Sequence, residues 1–396
     1  MIVSENEFLE KGNQNLNYRD MKFVVSSTTL LSHLTVVSRV ISSKNTLPIL
    51  DNFLFKLEGN ELEITASDLE TTLTTKITLD NVMGDGSIAI PFKILIDTLK
   101  EFSEQPLTFE IDPGSLAIVI HSENGQFNIV GQQAEDFPKP AVLNPESKVS
   151  VKVAADVMLN GITKTIFATA DDEMRPVMNG IYIEFTGEGM TFVASDSHKL
   201  VRYRRKDVRV EDSSSFILPK KPANLLKSIL VKEIGWVNVE FDSKNALFTM
   251  SGYTLICRLV EGEYPNYNSV IPVNNPNQMI IDRLDFYNSV RRVSIYSNAA
   301  SNLVKLGLTA NQCEVSAQDL DFSVSAYERL TCDYQGDEME IGFKSAFLAE
   351  ILANLSSTDV VLSLSDSSRA GLLFPHQNEN PDEDVLMLLM PMMTGA

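Results

Sequence analysis

Apolar positions change their spacing in an orderly way along this chain. Leu30, Leu31, Leu34, Val37, Val40 and Ile41 recur at helical intervals, and so do Phe92, Leu95, Ile96, Leu99 and Phe102. Between the two stretches Phe53, Phe55 and Leu57 alternate with polar residues, Glu58-Gly59-Asn60 supplies a turn, and Leu62, Ile64 and Ala66 alternate again. That pattern predicts an antiparallel hairpin between two amphipathic helices. The hairpin returns as Ile181, Ile183 and Phe185, a turn at Gly187-Glu188-Gly189, then Met190, Phe192 and Ala194. Strands outnumber helices, so the expected class is α+β, with antiparallel sheets covered on one face by helices.

Three markers fix a period. Ala66-Ser67-Asp68 recurs as Ala194-Ser195-Asp196 and as Ala317-Gln318-Asp319, at offsets of 128 and 123 residues. Ile90-Pro91-Phe92-Lys93 recurs as Leu218-Pro219-Lys220-Lys221 and Ile341-Gly342-Phe343-Lys344 at the same two offsets. Phe137-Pro138, Tyr264-Pro265 and Met390-Pro391 close the units. Internal repetition of this kind predicts three copies of one module, at 21–144, 145–274 and 275–396. Residues 1–20 carry no sustained period and are expected to be a disordered N-terminal extension. The run from His376 to Asp384 reads as a solvated loop before a last strand.

Composition narrows the function. The 396 residues are 44% hydrophobic and 22% charged, as in ordinary globular protein. No apolar run approaches the roughly 18 residues of a membrane span, and the N-terminus lacks the order of a signal peptide, so a cytoplasmic protein without membrane association is expected. Cys257, Cys313 and Cys332 form no CxxC pair, which points to reduced thiols and no zinc knuckle. A net charge of −20 argues against coating nucleic acid by bulk electrostatics. The charge is not evenly spread, however. The six helical windows 27–44, 91–103, 154–170, 220–232, 282–298 and 342–356 carry 13 Lys and Arg against 6 Asp and Glu. With their apolar stripes turned to the sheets, these helices present a basic face on an acidic molecule.

A feature present in every copy reads as structural, and one that breaks the repeat reads as functional. Asp68, Asp196 and Asp319 recur and are expected to hold turns. Cys313 takes the alternating position of Leu62 and Met190 and belongs to a core. Ser197-His198-Lys199-Leu200 replaces Leu69-Glu70-Thr71-Thr72 and Leu320-Asp321-Phe322-Ser323. Asp196, Ser197 and His198 suggest a hydrolytic triad on paper, but consecutive side chains do not easily adopt the relay geometry and no nucleophile elbow surrounds them. No P-loop, dinucleotide glycine pattern or HExxH occurs. Asp171-Asp172-Glu173 reads as a solvated acidic loop, so neither a metal nor a cofactor is expected. A scaffold that binds peptides without DNA is the remaining alternative to the DNA-bound reading that follows.

The ordered segments LPIL (47–50), ITASDLE (64–70), MNGIYIE (178–184), ASDSHKL (194–200), EGEYPNY (261–267), EMEIGF (338–343) and the terminal MPM (390–392) resemble the bacterial DNA sliding clamp family, the beta subunit of DNA polymerase III. The resemblance runs from Met21 to the C-terminus. It implies three clamp domains, a ring of two chains joined head to tail around double-stranded DNA, and a replication processivity factor that is not an enzyme. Helix width agrees. Six helices about 10 Å wide would leave an opening of roughly 10 Å, whereas twelve give about 30 Å, enough for a duplex. Closure would pair edge strands of the first and third modules between chains.

The resemblance further implies a hydrophobic groove for short linear peptides of the replicative polymerase, the clamp loader and repair proteins. The matching positions are Met178, Ser195, Ser197, His198, Lys199, Leu200, Pro265, Val270, Leu388, Leu389, Met390, Pro391 and Met392. Methionine suits such a groove because it repacks around different ligands. Ser269 replaces a basic residue usual in the family beside the groove, and the tail Met393-Thr394-Gly395-Ala396 departs from the usual short basic-apolar end. For DNA the matching residues are Lys44, Lys93, Lys220 and Lys221, expected at or near helix starts. Lysine keeps charge there without the bidentate geometry of arginine. Pro176 and Val177 stand where the family can place aromatic residues, so no single-strand stacking is expected at that loop.

Overall fold

The computed structural model describes residues 21–378 and 380–394. The expected N-terminal extension, residues 1–20, lies outside the described residues. The chain divides into two compact units, one comprising residues up to Pro140 with Gly252–Thr254, the other Ala141–Ser251 with Leu255 onward.

All six expected helices are present: α1 (Ser27–Val37), α2 (Phe92–Lys100), α3 (Ala155–Thr165), α4 (Lys220–Leu230), α5 (Arg283–Ser294) and α6 (Ser345–Asn354). Each follows a strand directly, and α1 packs on α2, α3 on α4 and α5 on α6. Every helix buries one stripe, for example Leu30, Leu34 and Val37 on α1 and Leu95, Ile96 and Leu99 on α2. Two helices are shorter than their apolar periods suggest. Val40 lies in a 3-10 turn after α1, and Phe102 lies past the end of α2. A buried apolar side chain continues the period by eye even where the backbone has already tightened.

In the first unit, one antiparallel sheet has the order Val82–Met83, Met21–Ser26, Pro106–Asp112, Ala117–His121, Gln126–Val130, with the last strand at its edge. Stacked Phe23 and Phe109 lie in its core. The predicted hairpin is found as Asn52–Glu58 with Glu61–Ser67, registered Leu57 to Leu62 and Phe55 to Ile64.

The second unit holds a nine-stranded antiparallel sheet that crosses from the second repeat into the third. Its order is Ser214–Pro219, Gly180–Thr186, Gly189–Ser195, Lys199–Arg205, Glu383–Leu389, Gly371–Pro375, Asp359–Leu364, Asn277–Asp282, Asp333–Gln335. The repeats join where Lys199–Arg205 pairs with Glu383–Leu389, in a register that sets Leu200 opposite Leu388 and Arg205 opposite Glu383. Gly161 of α3 lets that helix sit close to the sheet, since a Cβ there would lie 2.4 Å from the Phe192 ring. A further sheet has Val324–Thr331 at its edge, then Gln312–Asp319, Leu303–Thr309 and Met339–Lys344. Cys313 is wholly buried in it. Among the described residues no helix is long and apolar enough to cross a membrane.

Candidate functional site

The recurrent aspartates build one turn. Asp68 Oδ1 accepts from the backbone N–H groups of Glu70 and Thr71, and Asp196 Oδ1 accepts from those of His198 and Lys199. The residue after each aspartate is left-handed, Leu69 at φ 77° and Ser197 at φ 78°, and its N–H is caught by the preceding serine, Ser67 or Ser195. Such a backbone costs a non-glycine residue about 1–3 kcal/mol, so the surrounding hydrogen bonds must fix it. Asp319 accepts from the N–H of Asp321 in a looser third version. The scaffold is therefore copied, and the second copy differs in the side chains it displays.

What it displays is an apolar surface with polar edges. Leu200 and Leu388, paired across the seam, join Val193, Ile217, Tyr264, Tyr267, Ala370 and Leu372 in one buried cluster, with Val177, Tyr182, Ile271, Phe374 and Leu386 packed against it. Alternation along Glu383–Leu389 turns Leu386 and Leu388 to this cluster, while Met387 and Leu389 are wholly buried. Met178 is buried, and its sulfur accepts from Ser197 Oγ at 3.9 Å. Pro265 and Val270 are exposed on either side of buried Tyr267. The last strand ends at Leu389. Beyond it, Met390 N–H donates to His198 O at 2.9 Å and Met392 N–H donates to Gly342 O at 2.8 Å, which lays Met390, Pro391 and Met392 along the surface.

Three expected groove positions lie beneath the surface instead of facing it: Ser195 is buried, with its Oγ donating to the Lys199 carbonyl at 2.9 Å, and Leu389 and Lys199 join it. Leu389 is core. Lys199 is 5% exposed, its Nζ 2.7 Å from Asp196, 3.1 Å from Glu350 and 4.3 Å above the Phe347 ring. Its charge is spent inside the protein. Burial alone pushes the Asp196 carboxyl up, but the Lys199 ammonium and the two backbone N–H groups outweigh it and hold the group below the usual carboxylate range. Arg175, which sequence reasoning passed over, supplies a cation at the surface instead. Its guanidinium donates to Asp172 Oδ2 at 2.8 Å and to Ser197 Oγ. Its position three residues before the MNG segment was the available signal.

The arrangement is not that of a hydrolase. Ser197 Oγ is engaged by Arg175 and Met178, and the His198 ring lies over Phe347 with centroids 5.8 Å apart. Among the described residues no group of three His, Cys, Asp or Glu side chains could hold a metal ion. Asp172 of the acidic loop pairs with Arg175, and Asp171 pairs with Lys220 at 2.9 Å.

The basic candidates fall into two settings. Lys93 opens α2, and Lys220 and Lys221 open α4. These helices follow Pro91 and Pro219, with no side-chain cap and no acidic residue in the first turn. By contrast α1 and α5 are capped by Ser26 and Asp282. Uncapped N–H groups beside lysine favour an anion. The third copy differs, because Lys344 Nζ lies 4.7 Å above the Phe347 ring. Lys44 is a correction. It occupies a turn between the 3-10 segments Ser38–Val40 and Pro48–Asp51, past the end of α1, because the backbone is already extended at Ile41 (φ −61°, ψ 123°) and Ser42 Oγ then accepts from the Lys44 N–H.

Comparison with known proteins agrees with this geometry. Residues 21–142, 152–266 and 268–393 match, in order, the N-terminal, central and C-terminal domains of the DNA polymerase III beta subunit. The beta sliding clamp of Pseudomonas putida is 27% identical over 373 residues, covering 94% of this chain and all of that protein. That of Haemophilus influenzae is 28% identical over 384 residues with the same coverage. The crystal structure of the Pseudomonas aeruginosa sliding clamp bound to griselimycin is similar at a TM-score of 0.88 and 26% identity, over 95% of this chain and all of that one. With matches to all three domains across nearly its whole length, this chain belongs to the DNA polymerase III beta subunit family, the bacterial sliding clamps.

Proposed function

We propose that two copies of this chain close into a ring around double-stranded DNA in the cytoplasm. There they act as a non-catalytic processivity factor that tethers the replicative polymerase, the clamp loader and repair proteins. The observation that carries this reading is the threefold module, whose first and third copies each contain a sheet with an open edge strand. Gln126–Val130 is the edge strand of a sheet in the first repeat, and Val324–Thr331 that of a sheet in the third. Both edges expose apolar side chains, Phe127 and Val130 on one, Val324 and Tyr327 on the other, with Ile295 and Tyr296 exposed just after α5. Long apolar edges invite pairing, and a second copy offers each edge its complement. Light scattering at micromolar concentration should give twice the chain mass; a persistent monomer would contradict the ring.

Within this reading Lys44, Lys93, Lys220 and Lys221 attract the phosphates of the enclosed duplex. The −20 net charge then matters less than topology, because a closed ring stays on DNA without tight binding. Weak, salt-sensitive contacts also leave it free to slide. Short peptides dock over Leu200 and Leu388, against Met178, Pro265, Val270 and the Met390–Met392 tail, with His198 and Ser197 at the rim. Ser195, Lys199 and Leu389 hold that surface in place from below.

A further inference from the structure

The second unit contains a cavity of about 660 Å³ that the peptide groove does not use. It opens between Ser215–Ile217, the turn Asp242–Lys244 and the loop Leu259–Tyr264, with Tyr182 against it. We propose that this cavity receives an arginine or lysine side chain of the docked partner peptide, next to the apolar residues held in the groove. The proposal rests on the groove reading above and extends it by one subsite.

Two independent features point to that occupant. The first is continuity. Tyr182 and Tyr264 stack with centroids 4.9 Å apart and an interplanar angle of 13°, and both border the cavity while also packing in the cluster with Leu200 and Leu388. The cavity and the groove thus share a wall, and Tyr264 is the chain neighbour of the groove residue Pro265. Gly262 fixes the loop close by. Its φ is +126°, and a Cβ there would lie 2.8 Å from Val177, the residue before Met178.

The second is charge. Asp242, Glu261 and Glu263 border the cavity against a single cation, Lys244. Asp242 is committed to the backbone N–H groups of Asn144, Lys244 and Asn245. Glu261 and Glu263 are exposed at the mouth, where Glu261 meets Arg258 at 3.1 Å across solvent-exposed side chains. A guanidinium or ammonium entering here has carboxylates at the rim and aromatic rings along its stem, two interactions that add for a cation and oppose an anion. An aliphatic side chain would gain nothing from the carboxylates.

The test compares five fluorescently labelled peptides on the full chain: a polymerase-derived peptide with apolar anchors, and the same peptide extended by Gly-Arg or by Gly-Glu at its N-terminus or at its C-terminus. At low salt one Gly-Arg extension should bind about 3- to 10-fold more tightly than its Gly-Glu counterpart. That gap should fall below about 2-fold in the Glu261→Gln/Glu263→Gln double variant, with the unextended peptide unaffected. Equal binding of all extended peptides to the unmodified protein would overturn the cavity proposal and leave the groove intact. Failure of the unextended peptide to bind would overturn the groove and the cavity together.

Discussion

Replacing Lys199 by methionine tests whether the seam between the second and third repeats depends on a sequestered charge. Methionine keeps most of the aliphatic stem and removes only the ammonium, which touches Asp196 at 2.7 Å, Glu350 at 3.1 Å and the Phe347 ring at 4.3 Å. Removing one partner of a buried ion pair costs about 3–5 kcal/mol when the other is left without compensation. Here the loss is smaller. Asp196 keeps the N–H groups of His198 and Lys199, each at 2.9 Å, and the 39% exposed Glu350 side chain returns to water. A cost of about 2 kcal/mol follows, which for a unit of this size lowers the thermal midpoint by roughly 4–8 °C. Calorimetry at pH 7 should show it, and the double variant Lys199→Met/Asp196→Asn should lose at least about 1 kcal/mol less than the two single losses added. The pH dependence has a definite sign. The folded-state pKa of Asp196 lies below the ordinary value, so the contribution is complete above about pH 4 and is lost as pH falls through the folded-state pKa. The gap between the two proteins should therefore narrow in acid. A Lys199→Met protein within 1 °C of the parent, with additive single losses, would refute the reasoning.

Three other outcomes follow from the same structure. Gly161→Ala drives a methyl into Phe192, which is wholly buried, and should destabilise the second unit by about 1–3 kcal/mol in urea unfolding. Lys220→Ala should weaken binding to linear duplex DNA and flatten its salt dependence by no more than about 0.9 in slope, while Asp171→Asn, which frees Lys220 from its carboxylate partner, should strengthen that binding; electrophoretic or anisotropy titrations over salt read both. Burial holds the His33 imidazole below its usual range, so the first unit should lose stability as pH falls from about 6.5 towards the folded-state pKa, and His33→Gln should abolish that dependence in a denaturation series.

The repeat, the helix pairs and the hairpins were legible because each copy obeys the same period, and residues such as Leu57, Leu62 and Cys313 keep an alternation that only a strand satisfies. Asp196 could be read as a turn residue because Asp68 stands in the same place. The seam was harder. Nothing local to Lys199–Arg205 or Glu383–Leu389 states that these strands pair, since register across about 180 residues depends on packing of the whole unit. For the same reason Lys199 could not be recognised as buried: its partners Glu350 and Phe347 lie in another repeat. Lys44 was expected at or near a helix start from the family match alone, and nothing in the residues around it states that the backbone is already extended at Ile41. Arg175 was missed because a lone arginine in an acidic loop carries no periodic signal.

The central claim is topological confinement, and one measurement addresses it directly. The protein is loaded onto circular duplex DNA by its clamp loader, excess protein is removed, and the DNA is then cut once with a restriction enzyme in low salt. A ring is retained on the circle for as long as it stays closed and leaves through the ends after cutting, so gel filtration should show co-elution before the cut and separation after it. Equal retention on cut and uncut DNA would mean that the protein holds DNA by surface contact, which the account excludes.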